Sequence, residues 1–172
     1  MAETSVDVIK RYLVDAIAAE RSFESQLQGF SQEGDDAAAK SLFHQHALET
    51  KRQYERLTAR LEALGGSPST AKSFLAHIFG LTPKAASVGH EEEERTTQNL
   101  MMAFAVENSE LAMYESLATS AEAAGDTQTA SLAREIQAEE RATAEKVWRL
   151  IPNAAQQAFL RITAGSSSTA TA

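Results

Sequence analysis

The chain has 172 residues, 43% of them apolar, and a formal net charge of −8, which suits one domain with a sizeable core and disfavours nonspecific contact with nucleic acid or acidic membranes. It contains no cysteine, so disulfides, thiolate metal sites and cysteine nucleophiles are excluded. No stretch has the uninterrupted apolar length of a signal peptide or a bilayer span, which predicts a soluble cytoplasmic protein.

A first helix is expected to begin at Thr4 or Ser5, with Asp7 near its positive end and a stripe of Ile9, Leu13, Ile17, Phe23, Leu27 and Phe30. Residues 31–34 break that pattern. Asp35 or Asp36 can cap a second helix with Leu42, Leu57, Leu61 and Leu64 inward, stopped by the Gly65-Gly66-Ser67-Pro68 run. Residues 65–90 are too long for a tight turn and hold Phe74, Leu75, Ile78 and Phe79 ahead of Gly80, so they read as a crossover with a short helix. A third helix runs from about Glu91 to Ala124, with Leu100, Ala103, Leu111, Leu117 and Ala121 inward. Gly125 and Asp126 turn the chain into a fourth, which carries Leu132, Ile136, Val147 and Leu150 as far as Ile151 and Pro152. Residues 153–162 offer Phe159 and Ile162 to a last helix, and residues 165–172 read as a disordered tail, leaving a domain of residues 1–164.

The two hairpins superimpose at a fixed offset: adding 90 takes Glu20 to Glu110, Leu27 to Leu117, Asp36 to Asp126, Leu42 to Leu132 and Glu49 to Glu139, with no gap. A duplicated helical hairpin with an acid in the middle of each helix is the plan of an all-α four-helix bundle with a metal site in its core. Height along the bundle supports this. Glu20 and Glu110 precede their turns by about as many residues as His46, Glu49, Glu139 and Glu140 follow them, which at a rise of about 1.5 Å per residue puts all of them roughly 20 Å from the turns. Direction supports it too: Glu20, His46, Glu49, Glu107, Glu110 and Glu139 each interrupt an apolar face at core spacing. Burying several uncompensated carboxylates costs several kcal/mol apiece, whereas two divalent cations would offset them. Glutamate oxygens with an imidazole nitrogen suit iron, manganese or zinc. The competing reading of a single such acid is a solvated edge residue or an arginine partner; agreement among four helices favours the metal site.

The segments AERSFESQL, HQHALETKRQYERL, VENSELAMYESLATSAEAAGD and IQAEERATAEKV resemble the bacterial YciE/YciF-type ferritin-like proteins, a stress-associated branch near the rubrerythrins. The resemblance covers about residues 5–151 and rests mainly on the His46-x-x-Glu49-Thr50 element and the stretch from Val106 to Tyr114. It implies a ferritin-like bundle paired as a homodimer, with a dinuclear metal centre. Carried over residue by residue, it implies Glu20 as a ligand from the first helix, Glu49 as a bridging acid with His46 one turn earlier, Glu110 as the counterpart of Glu20, and Glu139 as the counterpart of Glu49. Glu140 stays open beside Glu139, because one residue turns a helix by about 100°. Position 46 maps to Ile136 and Glu107 maps back to Ile17, so two unequal metal positions are expected, with Glu107 in place of a second imidazole.

Many di-iron bundles have Glu-x-x-His on two helices; here the second helix reverses that order, and Ala142 and Thr143 stand three residues after Glu139 and Glu140. The centre is therefore rich in oxygen donors, which weighs against a rubrerythrin-like peroxidase. Tyr114 lies one turn from Glu110 and could bond a ligand or simply pack in the core, Glu24 could sit beside the site, His44 points elsewhere on its helix than His46, and His77 and His90 are assigned to the crossover, away from the site acids. The expected function is a di-metal carboxylate protein, with two iron ions the leading fit, which oxidises Fe(II) with O2 or H2O2 under stress. The alternatives are a non-catalytic structural homodimer with a zinc or vestigial site, and iron storage.

Overall fold

The computed structural model describes residues 4–68 and 90–169. Helix α1 spans Ser5–Phe30 and starts in a capping box: the Thr4 side chain accepts from the Asp7 amide, and the Asp7 carboxylate accepts from the Thr4 amide. Its whole predicted stripe, from Ile9 to Phe30, is buried. The chain leaves α1 through Gly34, whose positive φ of 67° and close approach to the Thr96 hydroxyl leave no room for a Cβ. Asp36 then caps α2, Ala37–Ala63, by accepting from the amides of Ala38 and Ala39.

After the undescribed residues 69–89, which include the expected crossover helix and His77, a 3-10 turn at Glu92–Glu94 leads into α3, Arg95–Ala123. Gly125, with φ of 74°, turns the chain into α4, Thr127–Thr169. Asp126 accepts from the Thr129 amide and also takes the Arg60 guanidinium, which rivets the second turn to the end of α2. Helices α1 and α2 pack as one antiparallel hairpin, α3 and α4 as the other; α1 then lies on α3, and α2 more loosely on α4.

Helix α4 departs from expectation. Pro152 does not end it, although a proline removes one backbone donor at a cost of about 3 kcal/mol. Ala154 and Ala158 beyond it are buried against the bundle, and Arg161 pairs with Asp35, so tertiary contacts carry the helix past the break. Residues 165–169 continue the helix where a disordered tail was expected, because propagating a formed helix adds a hydrogen bond without a new nucleation step. Residues 170–172 lie outside the described chain. No helix among the described residues is long and apolar enough to cross a membrane.

The core falls into two apolar blocks. One holds Leu13, Ile17, Leu57, Leu61, Tyr114, Leu117 and Ile136; the other holds Phe23, Leu27, Phe43, Leu100, Val106 and Val147. Each large side chain buried there contributes about 1.5–3 kcal/mol. Between the blocks lies a layer of buried polar groups: Glu20, His46, Thr50, Glu107, Glu110, Glu140 and Thr143.

Candidate metal centre

Each helix contributes to that layer by its period. On α3, Ala103, Val106, Glu107, Glu110, Tyr114 and Leu117 form one buried face, so Glu107 and Glu110 point inward as surely as their apolar neighbours do. On α4, the buried positions Ile136, Glu140, Thr143 and Val147 follow one another at spacings of four, three and four. Helix α1 supplies Glu20, and α2 supplies His46 from the face that also buries Phe43, Thr50 and Leu57. Glu20, His46, Glu107, Glu110 and Glu140 therefore converge.

Apart from one another, their polar atoms have almost no partners. Both carboxylate oxygens of Glu107, Glu110 and Glu140, one oxygen of Glu20 and both ring nitrogens of His46 are buried with no hydrogen bond. His46 Nε2 lies in ion-pair range of Glu107 Oε1, but the pair lacks hydrogen-bond geometry. Phe23 packs edge-on to the imidazole, with ring centroids 5.3 Å apart. One donor atom each from His46, Glu107 and Glu140 fall within 4.8 Å of one another, a spacing that can hold a metal ion. The partnered oxygen is Glu20 Oε1, which accepts from the Tyr114 hydroxyl; of the two readings open for Tyr114, the structure shows a buried core residue that also bonds a site acid.

Electrostatics describe the same cluster. Burial, then the neighbouring Glu140 charge, raises the Glu20 carboxyl well above its ordinary range, while the Tyr114 bond works the other way. Burial pushes Glu107 up to about 8. Glu110 and Glu140 rise for the same first reason, with Glu20 next for Glu110 and Glu107 next for Glu140. Burial lowers His46, which keeps the imidazole neutral with a lone pair to donate. Burial also raises the Tyr114 phenol, so it remains a donor to Glu20. Four acids that cannot all ionise without compensation, around a neutral imidazole, form a cation-seeking set.

Two expected ligands stand apart. Glu139, the counterpart of Glu49 in the repeat, is turned outward and 46% exposed; Arg56 and Gln53 hold its carboxylate, and Arg56 also holds Glu135. The buried spacing of α4 passes through Glu140 instead, and the 100° between adjacent residues sends Glu139 to the rim. Glu49 is half-buried at the edge of α2, where its charge reaches His46 and Glu107. Among the other candidates, Glu24 accepts from Gln28, and His90 pairs with Glu94 at 3.2 Å. Thr50 entered only as the end of the His46-x-x-Glu49-Thr50 element and Thr143 only as a place without histidine, although the repeat carried a signal: adding 90 to Thr50 gives Glu140, so the two halves present equivalent inward positions there.

A family profile described as Domain of unknown function (DUF892) matches residues 5–160. Protein YciF of Escherichia coli K12 is 29% identical over 154 residues, which cover 88% of this chain and 92% of the relative. The crystal structure of the E. coli stress protein YciF has a TM-score of 0.78 at 26% identity, covering 91% of this chain and 99% of that one. A crystal structure of a Xanthomonas campestris protein gives a TM-score of 0.79 at 24% identity, with 93% and 99% covered. A ferritin-like, diiron-carboxylate protein from Bacillus anthracis gives 0.71 at 18% identity, with 87% and 99% covered, a likeness of fold. The chain thus has a ferritin-like bundle and belongs to the YciF-type ferritin-like family described as Domain of unknown function (DUF892).

Proposed function

We propose that the buried layer is a dinuclear metal centre and that iron is its metal. The observation that carries this reading is the set of unpartnered oxygens and nitrogens on Glu20, His46, Glu107, Glu110 and Glu140, sealed between two apolar blocks. Buried polar atoms of this kind are otherwise bonded, and four carboxylates match the charge of two divalent cations. The likeness to diiron-carboxylate proteins in fold supports the same reading.

The residues divide the work unequally. His46, Glu107 and Glu140 would hold one ion with a nitrogen and oxygens, and Glu20 and Glu110 would hold the other through oxygens, with Glu140 near enough in charge to act on both groups. Tyr114 orients Glu20 by occupying one of its oxygens, which leaves the other for a metal. Bound iron would supply one-electron redox chemistry towards O2 or H2O2, which makes oxidation of Fe(II) the proposed activity. The apolar blocks above and below exclude bulk water, and the acids release the protons that hold them neutral when a cation enters.

Metal content tests the reading. Protein purified without added metal and then titrated with Fe(II) should bind two equivalents, and oxygen uptake should follow; a Glu107→Ala, Glu140→Ala variant should lose both. Unchanged metal content in that variant would sink the assignment. Two equivalents bound without oxygen uptake would leave a binding protein and remove the oxidase.

A further inference from the structure

The loosely packed seam between α2 and α4 opens into a cavity of about 400 Å³, walled by Glu49, Arg52 and Arg56 on one side and by Glu139, Ala142, Thr143 and Lys146 on the other. Each wall is one helical stripe, at spacings of three and four. The cavity lies directly outside the buried layer. Thr143, only 2% exposed, belongs to both, and the charges of Glu49 and Lys146 act on His46 and Glu107.

The charges in this cleft do not cancel internally. Glu139 is engaged by Arg56 and Gln53, and the other terminal nitrogen of Arg56 donates to Glu135. What is left is Glu49 beside Arg52 on one wall and across from Lys146 on the other, and neither of those two cations makes a hydrogen bond or an ion pair among the described residues. A divalent cation placed here would meet one free carboxylate and two free cations. An anion would meet the reverse. On a chain with a net charge of −8, an anion is repelled from most of the surface, so a concave place with surplus positive charge is selective for one.

We propose that the α2–α4 cleft is a binding subsite for a small oxyanion, held by Arg52 and Lys146 above Glu49 on the solvent side of the buried carboxylate layer. Arg52 offers a planar fork suited to two oxygens of one anion, Lys146 a point charge from the opposite wall, and the Thr143 position marks the floor. The oxyanion subsite itself does not need a metal; the statement that the anion arrives next to a metal centre rests on the reading above. The subsite limits the co-reactants that approach by this seam to anions, or to neutral molecules that share it with one.

The test is a titration of full-length protein, freed of metal by chelation, with inorganic phosphate followed by calorimetry and 31P NMR, in parallel with glycerol 3-phosphate. Saturable binding of one equivalent is expected, weakened by added salt and at least about tenfold weaker in an Arg52→Gln, Lys146→Gln variant whose thermal melt is unchanged. Tighter binding of glycerol 3-phosphate would make the oxyanion the head of a larger molecule, and tighter binding of phosphate a free ion; both support the subsite if the double variant loses them. Failure of both anions to saturate, or binding that the double variant retains, overturns the proposal. Binding that appears only after metal is restored, and that the double variant retains, would place the anion on the metal: the subsite would fall while the metal centre stood. In the reverse case, a Glu107→Ala, Glu140→Ala variant that binds no metal but still binds phosphate leaves the subsite intact.

Discussion

At the level of the buried centre the first hairpin presents Ile17, Glu20, His46 and Thr50, whereas the places 90 residues later in the second hairpin hold Glu107, Glu110, Ile136 and Glu140. All eight are buried, so the repeat preserves which way each position points. The acids do not follow suit: the first hairpin brings one carboxylate and the imidazole, the second brings three carboxylates. Meanwhile Glu49 and Glu139, on which the halves agree, lie at the edge of α2 and on the rim of α4. Agreement between halves therefore marked the frame in these places, and most of the chemistry sits where the halves differ. Glu20 and Glu110 are the pair in which frame and chemistry coincide.

The largest effect expected from this inequality is on pH dependence. Glu20, Glu107, Glu110 and Glu140 all have folded pKa values above the ordinary 4.5, so the metal-free fold is favoured at low pH by their protonation and loses that stability as pH rises through the folded values, about 8 for Glu107. His46 is lowered from 6.5, and its contribution is lost in the opposite direction, as pH falls through 6.5. Between pH 6.5 and 8 the carboxylates thus act alone, and thermal melts of chelated protein should show a falling midpoint there. A flat profile in chelated protein would break the picture of uncompensated acids; loaded protein should be flatter than chelated protein.

Making the halves more alike gives the next effect. Glu107→Ile installs the residue that the first hairpin has at position 17, and replacing a buried, unsatisfied carboxyl by a packed apolar side chain removes a desolvation penalty of about 1–3 kcal/mol. Denaturant titration of the metal-free variant should show that gain, while its metal affinity falls by more than about 100-fold, beyond what loss of an outer partner costs. A destabilised variant with normal metal binding would contradict the assigned asymmetry. Tyr114→Phe is smaller: it leaves Glu20 Oε1 without its donor and should cost about 1–3 kcal/mol in denaturant unfolding of chelated protein. Smallest is Glu139→Ala, since the half-exposed Arg56 pair contributes about 0–1 kcal/mol and the Gln53 hydrogen bond lost with it about 0.5–1.5 kcal/mol. Metal content should not change in that variant, and a loss would return Glu139 to the ligand set.

The contrast also shows where pattern reading stops. The stripe of α1, the caps at Thr4 and Asp36, and the turn at Gly125 follow from short-range chemistry, and the structure has each of them. Glu20, His46, Glu107 and Glu110 were legible because each sits three or four residues from buried apolar neighbours on its own helix. The passage of α4 through Pro152 was not legible, because Ala154, Ala158 and the Arg161 contact with Asp35 lie against other parts of the bundle.

By itself the sequence determined an all-helical bundle of two related hairpins and an acid-bearing level halfway along them, because helical period and turn residues are local properties of the chain. Tertiary structure alone turned Glu140 into the buried layer and Glu139 to the rim, seated Glu49 at the mouth of a cleft, and joined Tyr114 to Glu20. The physical reason is rotation: neighbouring residues on a helix differ by about 100°, and only the packing of α4 against α2 fixes which of the two acids meets Arg56 and which meets the buried layer.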